Sequence, residues 1–215
     1  MKKDYEKKCA DPSLIKLGKD VQIDPDVLLG YLTARKIKDM TLRIGNQAQI
    51  RSGSVIYVGS TIGKELSTGH NVIIREENLI GDHFSIWSNS VVDYGCKIGN
   101  NVKIHCNVYI AQFTTIEDDV FMAPGVTVAN DIHPGCEFSQ PCMRGPTIQR
   151  GAQIGVNVTL LPFITIGEHS LIGSGAVVTK DVPPHSVVFG NPAKVHRTIE
   201  ELVCTTGLTD KPYKK

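Results

Sequence analysis

The most regular feature of the chain is an aliphatic residue at every sixth position between Ile44 and Val128. The series has 15 positions in unbroken register, and 13 of them are Ile or Val. A helix with 3.6 residues per turn would scatter these side chains, whereas a short strand followed by a corner turns every sixth side chain inward. β-branched residues suit such a strand. The pattern therefore predicts a column of short β-strands around an aliphatic core.

The series resumes after a gap, at six further positions from Ile148 to Val178. Val128 and Ile148 are 20 residues apart, which is not a multiple of six, so residues 129–147 are an insertion. The prolines and glycines of this insertion predict a projecting loop. With three walls per turn, the 21 six-residue units give about seven coils, a prism roughly 30–35 Å tall.

Glycine supports three walls per turn. At every third unit of the series, from Ile44 to Ile98, the isoleucine is followed by glycine, at Gly45, Gly63, Gly81 and Gly99. Glycine that recurs at one corner indicates either a backbone with positive φ or a close approach between neighbouring coils. The sequence leaves both explanations open.

The rest of the chain divides around this repeat. Residues 1–20 are expected to form a polar leader, and the less regular residues 21–43 an irregular first turn that caps the prism. We expect the β-helix domain to span residues 21–197. Residues 198–215 are expected to form a short C-terminal helix and tail.

Composition excludes several classes of protein. The 215 residues are 41% apolar and 21% charged, with a formal charge of +1, so nothing indicates binding to nucleic acid or an anionic membrane. The charged N-terminus has no apolar core of a secretory signal, which favours a cytoplasmic protein. The six cysteines lack CxxC spacing, so we expect reduced thiols and no metal.

The repeat resembles that of the hexapeptide-repeat acyltransferases. Small residues often stand four places after the aliphatic one, and the run VPPHSVVFGNPAKV (182–195) is similar to the closing segment of many members. The string NNVKIHCNVYIAQFTTIEDDVFMAPGV (100–126) resembles the subgroup of N-acetyltransferases and N-acyltransferases that modify nucleotide-linked amino sugars. The resemblance implies an all-β fold, a left-handed parallel β-helix, and usually a homotrimer.

His105 is the first candidate for catalysis. It follows the inward Ile104, so it should face outward, where a histidine is not needed for core packing. It is either a solvated or subunit-interface residue, or a general base whose ordinary pKa near 6.5 suits removing a proton from an amine or hydroxyl. The resemblance implies the second, because the amino-sugar subgroup often carries a His or a polar amide in a similar place.

The insertion supplies the second set of candidates. By resemblance, Asn130 and Asp131 contact the sugar or amine, and His133 falls where related sugar O-acetyltransferases place a His-Pro pair, so it is a rival base. The alternative is that Asn130 and Asp131 only form a turn. Glu77 is a further candidate substrate contact, or else part of a charged surface row.

The third candidate site binds the acyl donor. Outward-facing small residues after the loop would leave backbone groups accessible to pantetheine, and basic side chains would neutralise phosphates. The resemblance implies acetyl-CoA or another acyl-CoA, lying along neighbouring subunits, with no metal required. The residues are Ala152, Gly155, Gly173, Ser174, Lys180, Pro192, Lys194 and Arg197.

The leading hypothesis is therefore an acyl-CoA-dependent N-acyltransferase acting on the amine of a nucleotide-linked amino sugar. Two alternatives remain. One is an O-acetyltransferase acting on a sugar or antibiotic hydroxyl, and the other is a non-catalytic trimeric β-helix that serves as a scaffold.

Overall fold

The computed structural model describes residues 11–213, and in this part short strands wind into a triangular parallel β-helix. One α-helix, α1 (Ser139–Cys142), lies in the insertion, and two 3₁₀ helices, Pro12–Leu14 and Ile199–Glu201, flank the strands. The strands are β1 (Ile15–Leu17), β2 (Gln22–Ile23), β3 (Leu28–Tyr31), β4 (Leu42–Ile44), β5 (Gln49–Ile50), β6 (Val55–Tyr57), β7 (Thr61–Ile62), β8 (Ser67–Thr68), β9 (Ile73–Ile74), β10 (Leu79–Ile80), β11 (Ser85–Ile86), β12 (Val91–Val92), β13 (Lys97–Ile98), β14 (Lys103–Ile104), β15 (Tyr109–Ile110), β16 (Thr115–Ile116), β17 (Phe121–Met122), β18 (Thr127–Val128), β19 (Thr147–Ile148), β20 (Gln153–Ile154), β21 (Thr159–Leu160), β22 (Thr165–Ile166), β23 (Leu171–Ile172), β24 (Val177–Val178), β25 (Ser186–Gly190) and β26 (Ala193–Thr198).

Every third strand belongs to the same wall, which confirms three walls per turn. The first face is the eight-stranded sheet from β1 to β22, and the third face is the eight-stranded sheet from β3 to β24. The second face runs from β2 to β23 and ends in the antiparallel pair β25–β26. Within the uninterrupted repeat each strand residue pairs with its counterpart three units further along, as in Ile62↔Ile80 and Ile80↔Ile98. The predicted parallel β-helix is confirmed.

The aliphatic series forms the core. All 21 positions of the repeat are buried, including the two exceptions to Ile and Val in the first series, Thr68 and Met122. The small residues four places on are buried at the inner corners, where Ser60 Oγ donates to the carbonyl of Arg75 at 2.7 Å and Ser90 Oγ to that of His105 at 2.8 Å. These bonds link neighbouring coils, because a buried hydroxyl needs a partner.

The recurring glycines are explained by close approach and not by positive φ. A Cβ on Gly63 would lie 2.7 Å from the backbone of Gly81, and a Cβ on Gly45 would lie 2.6 Å from Gly63. The left-handed residues stand two places later, at Glu65 (φ 59°) and His83 (φ 57°). Neighbouring coils therefore come too close at this corner for any side chain.

The β-helix has eight coils and not seven, because it begins earlier than predicted. Strands β1 to β3 form this first coil between residues 15 and 31, with a register shift between Leu29 and Tyr31. The predicted irregular first turn is therefore present, but it begins within the predicted leader. Ile15 pairs with Leu42, farther along the chain than one regular turn, because the loop 32–41 follows β3 and lengthens this turn. That insertion hid the six-residue period. Of the predicted leader, residues 1–10 lie outside the described part.

The C-terminal end is closed by a hairpin. Strands β25 and β26 pair in antiparallel fashion, and β25 pairs in parallel with β23, so the last coil is covered. The predicted C-terminal helix is only the 3₁₀ turn Ile199–Glu201. Within residues 11–213, no helix combines the length and apolar character needed to cross a membrane.

The inward and outward positions of one strand should respond very differently to truncation. Ile50 is 1% exposed, whereas its neighbour Gln49 in β5 is exposed. We expect Ile50→Ala to lower the free energy of unfolding by about 2–5 kcal/mol, because it leaves a cavity between stacked coils. Urea denaturation measures the loss, and Gln49→Ala, expected to change it by about 0.5 kcal/mol or less, is the control. Equal losses would contradict the register.

Candidate functional site

His105 lies in a column of residues that follow the strands of the second face, which we call the His105 corner. Its ring is half-buried, with the ring centroid 3.9 Å from that of Trp87 and 5.1 Å from that of Phe121. Burial lowers the pKa of His105, since desolvation disfavours the imidazolium. Within the described residues neither ring nitrogen has a hydrogen-bond partner. The corner consists of Gly69, Trp87, His105, Ala123, Gly155 and Gly173.

Two predicted donor-site residues share this corner with the histidine. Gly155 and Gly173 lie two and three coils beyond His105, or roughly 10 and 14 Å at the usual strand spacing. A Cβ on Gly173 would lie 2.8 Å from the Cβ of Phe189, so the space there excludes a side chain. Ser174 is exposed beside it, and its Oγ accepts the Val156 N–H at 3.2 Å.

The remaining predicted donor residues are spread more widely. Lys194 and Arg197 lie on β26 and are exposed, and Pro192 lies in the turn before it. Lys180 is exposed at a different corner, after β24. The prediction that Ala152 faces outward is wrong, because its side chain is 0% exposed and packs in the core. Its position, four places after an inward isoleucine, is an inner corner.

The other polar column follows the strands of the third face, and we call it the Asn130 corner. Both insertions, 32–41 after β3 and 129–147 after β18, leave the β-helix here. Between them runs a ladder of charged and polar side chains at and beside the corner. Its members are Thr33, Arg35, Arg75, Glu76, Glu77, Asp93, Tyr94, Tyr109, Gln112 and Asn130.

Glu76 anchors the lower end of this ladder. Its carboxylate is fully buried and accepts hydrogen bonds from Thr33 at 2.9 Å, Arg35 at 3.2 Å and Arg75 at 3.1 Å. Burial by itself raises the pKa of Glu76, but bonds from its own backbone and from Thr33, together with the two guanidiniums, bring the pKa below its usual value. The group is therefore a buried anion.

The predicted contact Glu77 is more exposed. Its carboxylate lies 3.0 Å from Arg35 Nη1, and the Arg35 guanidinium lies over the ring of Tyr94, 3.6 Å from the centroid. Arg35 thus joins the first insertion to the corner. Arg35 was not predicted as a site residue, because nothing in its local sequence indicates that loop 32–41 folds back onto residues 76 and 77.

Asp93 lies farther along the ladder and connects it to Gln112 and Asn130. It is 5% exposed, lies 3.2 Å from Arg75 Nη1, and accepts hydrogen bonds from Tyr109 and Gln112. Burial and the bond to Asp93 raise the pKa of Tyr109 to about 12, so its hydroxyl stays protonated. Gln112 in turn accepts from Asn130 Nδ2 at 2.6 Å. This ladder holds the predicted substrate contact Asn130.

Asp131 organises the start of the second insertion. Its carboxylate accepts the His133 N–H at 2.8 Å and the hydroxyl of Ser139, and these bonds lower its pKa. The predicted turn-forming role of Asp131 is thus present. His133 itself is exposed.

A single chain does not bring His105 and the Asn130 corner together. Ala129 lies four units of the repeat after His105, which is one full turn of three units plus one wall, so the two corners lie at opposite ends of the third face. One unit of six residues spans at most about 20 Å. Within residues 11–213, neither the cavity beside His169 and His185 nor the cavity beside Leu79 and Glu117 contains both His105 and the loop 129–147.

The larger of those cavities lies elsewhere. It has a volume of about 880 Å³ beside the corner that follows the first face, lined by residues that include Gly151, His169, His185, Glu200 and Tyr213. Neither histidine is among the candidates that the sequence suggested. The cavity forms because the C-terminal segment returns along the β-helix, which the repeat does not reveal.

Comparison with known proteins identifies the family. The family described as bacterial transferase hexapeptide (six repeats) matches residues 79–112, 95–130 and 145–180. Galactoside O-acetyltransferase of Escherichia coli K12 is 34% identical over 163 residues, 66% of this chain and 78% of that protein. The chain belongs to the hexapeptide-repeat transferase family. It is an acyltransferase, since its relatives are named acetyltransferases.

Further relatives agree with this assignment. A Staphylococcus aureus MRSA252 protein named an acetyltransferase is 39% identical over 156 residues, 64% of this chain and 76% of that one. For a Schizosaccharomyces pombe protein of the same name, the match is 38% identical over 120 residues and covers 50% of this chain but only 56% of the relative.

A solved structure fixes the fold of this hexapeptide-repeat transferase. LpxA, a UDP-N-acetylglucosamine acyltransferase from Bacteroides fragilis, superposes with a TM-score of 0.70 at 22% identity, covering 88% of this chain and 72% of that one. The predicted left-handed parallel β-helix is thereby confirmed.

The buried and exposed carboxylates at the Asn130 corner should differ in their contribution to stability. Glu76→Gln leaves Arg35 without a buried counter-charge and leaves Arg75 with Asp93 alone, and we expect a loss on the order of 3 kcal/mol in the free energy of unfolding. Glu77→Gln removes a partly exposed ion pair, for which we expect about 1 kcal/mol or less. Denaturation of the three proteins at pH 7 measures both losses, and similar values would contradict the burial of Glu76.

The direction of the pH dependence provides the control. The folded-state pKa of Glu76 lies below its unfolded value of about 4.3, so its stabilising contribution is complete above that pH and is lost as pH falls through the folded-state pKa. The difference between the wild type and Glu76→Gln should therefore shrink in acid.

Proposed function

We propose that this transferase is a coenzyme A-dependent N-acetyltransferase that acts on the amine of a nucleotide-linked amino sugar. The observation that carries the proposal is the placement of His105, an outward imidazole with a lowered pKa, on the same corner as Gly155 and Gly173. Acyl-CoA lying along that corner would present its thioester beside an uncharged base. The resemblance of residues 100–126 to the amino-sugar subgroup supports the choice of acceptor.

The reaction requires one proton carrier. The amine nitrogen attacks the thioester carbonyl carbon, and His105 accepts the proton that the nitrogen loses as the new N–C bond forms. The C–S bond then breaks, and the imidazolium returns this proton to the departing thiolate. An uncharged imidazole is needed at the start, which the desolvation of His105 favours.

The charge of the Asn130 corner supports a cationic acceptor. The ladder has three carboxylates, on Glu76, Glu77 and Asp93, and only two guanidiniums, on Arg35 and Arg75, so its negative charges outnumber its positive ones. Asp131 adds a further carboxylate at the loop. An excess of negative charge attracts an ammonium group and raises its local concentration. The ammonium releases one proton to solvent before its nitrogen attacks, and His105 takes the second. An uncharged hydroxyl acceptor is not attracted by this negative charge.

The geometry supports a site between subunits. Because His105 and Asn130 lie on different corners of one chain, a shared cleft requires the His105 corner of one subunit to face the Asn130 corner of a neighbour. Trp87 and Tyr109, 41% and 37% exposed, are apolar candidates for such an interface. In a homotrimer each cleft would also receive Lys194 and Arg197, or Lys180, as phosphate partners.

The second candidate is O-acetyl transfer to a sugar hydroxyl. It is favoured by the similarity to the galactoside O-acetyltransferase of E. coli and by the exposed pair His133–Pro134. In this case His133 is the base and the carboxylates only shape the site.

Replacement of His105 tests the first proposal. We expect His105→Ala to lower kcat at least a hundredfold with a nucleotide-linked amino sugar, because a general base contributes about 10²–10⁴-fold. The dissociation constant for coenzyme A should stay within twofold. Thiol release from acetyl-CoA measures kcat, and His83→Ala, which removes an exposed histidine at another corner, is the control.

The acceptor panel separates the candidates. Nucleotide-linked amino sugars are compared with analogues that carry a hydroxyl in place of the amine. Turnover of the hydroxyl series only, with its loss in His133→Ala and not in His105→Ala, would replace the first proposal by the second.

The pH profile provides an independent check. Activity should fall as pH falls through the pKa of His105, because protonation removes the base, and burial places this pKa below the ordinary value of about 6.5. We therefore expect the acidic limb of kcat/KM to have its midpoint below pH 6.5. That limb should be absent from the residual activity of His105→Ala, and its persistence would assign it to another group.

A further inference from the structure

A directed series of hydrogen bonds at the Asn130 corner begins at Asp93. Its Oδ1 accepts the Tyr94 N–H at 2.8 Å and lies 3.2 Å from Arg75 Nη1. Its Oδ2 accepts from the Tyr109 hydroxyl at 2.8 Å and from Gln112 Nε2 at 2.5 Å. With a guanidinium beside it and donors at both oxygens, Asp93 acts as an ionised carboxylate, which can only accept hydrogen bonds.

This restriction fixes the orientation of the next amide. Gln112 must turn its NH₂ group toward Asp93, because the opposite orientation would place its carbonyl oxygen against a buried anion. Its Oε1 is thereby turned toward Asn130, whose Nδ2 donates to it at 2.6 Å. The orientation of Gln112 thus determines which end of the Asn130 amide is engaged.

Asn130 is the last residue of this hydrogen-bonded series, and only one end of its side-chain amide is engaged. Asn130 Nδ2 is occupied by Gln112, whereas within residues 11–213 no donor is bonded to Asn130 Oδ1. The backbone carbonyl of Asn130 accepts the Arg144 N–H at 2.8 Å, which holds the two ends of the insertion together. Asn130 is half-buried, and within residues 11–213 no buried side-chain nitrogen or oxygen lacks a hydrogen-bond partner, so the unpartnered Oδ1 of Asn130 lies at the surface and is accessible to a ligand.

We propose that Asp93, acting through Gln112, sets Asn130 to present its carbonyl oxygen, so that Asn130 accepts a hydrogen bond from the acceptor amine. Asp93 and Gln112 are positioning residues, and Asn130 is the group that touches the substrate. The inference rests on the proposed function and adds which partner donates the hydrogen bond between Asn130 and the substrate. An N–H donor is bound, and a carbonyl or phosphate oxygen at the same place is rejected, since two acceptors would face each other.

Replacement of Gln112 should remove the constraint on the orientation of the Asn130 amide. Gln112→Met keeps the length of the side chain but gives Asn130 Nδ2 no strong acceptor, so the amide can turn either way. We expect the KM for the amino-sugar acceptor to rise roughly tenfold or more, with kcat and the dissociation constant for coenzyme A within about twofold. Gln49→Met, an exposed glutamine at the other end of the β-helix, is the control.

A second variant distinguishes orientation from packing. Tyr109→Phe removes one donor from Asp93 but leaves the carboxylate an acceptor, so Gln112 and Asn130 keep their orientation. Its KM for the acceptor should change much less than that of Gln112→Met, even where both proteins lose similar thermal stability. Equal KM values for wild type and Gln112→Met would overturn the inference.

Neutron diffraction from deuterated crystals of the wild-type protein decides the orientation without any substrate. Deuterium is expected on the Asn130 atom that faces Gln112, and deuterium on the outward atom overturns the inference. A wild-type protein that acetylates no amine would instead overturn the proposed function, and the neutron result would still decide the polarity of Asn130.

Discussion

The structure depends on the stacking of coils in strict register. Within the repeat each short strand is hydrogen-bonded to the strands one turn before and one turn after it, so a side chain that points inward in one coil must lie on another inward side chain. A β-branched aliphatic column satisfies this condition at all three walls. Apart from the inward Thr68, the same register places the polar side chains of the repeat on the outer surface of the walls and at the corners.

Stacking also explains why the candidate site residues are arranged in columns along the corners. A residue at a corner has as neighbours the residues one turn away, and these are distant in the sequence only by the length of a coil. His105 therefore shares its surroundings with Trp87 and Phe121, and burial lowers its pKa. Farther along the same corner, Gly155 and Gly173 carry no side chain because a Cβ at either position would lie within 2.8 Å of a neighbouring residue. Because the register fixes the width of the column, the residues that shape a site around it come from the insertions.

The sequence predicted those features that the period controls and missed those that depend on insertions. The three walls, the buried series and the loop 129–147 follow from counting by six. The first coil was missed because loop 32–41 shifts Ile15 out of phase with Leu42. Ala152 was placed outward although its phase is that of the buried Ala48 and Ala176. The separation of His105 from Asn130 was already implied by their spacing, whereas the position of Arg35 depends on how one loop folds back.

The two insertions meet the same corner, and the buried carboxylates explain how they are joined. Glu76 receives Arg35 from the first insertion, Asp93 reaches Asn130 of the second through Gln112, and Arg75 bonds both carboxylates. Buried charges of this kind are costly to desolvate unless they are paired and hydrogen-bonded. A hydrophobic corner would hold the coils together equally well, but it would leave the loops free to take several positions. The ladder therefore fixes both loops against one rigid edge, which the proposed acceptor site would need in order to hold its substrate in one orientation.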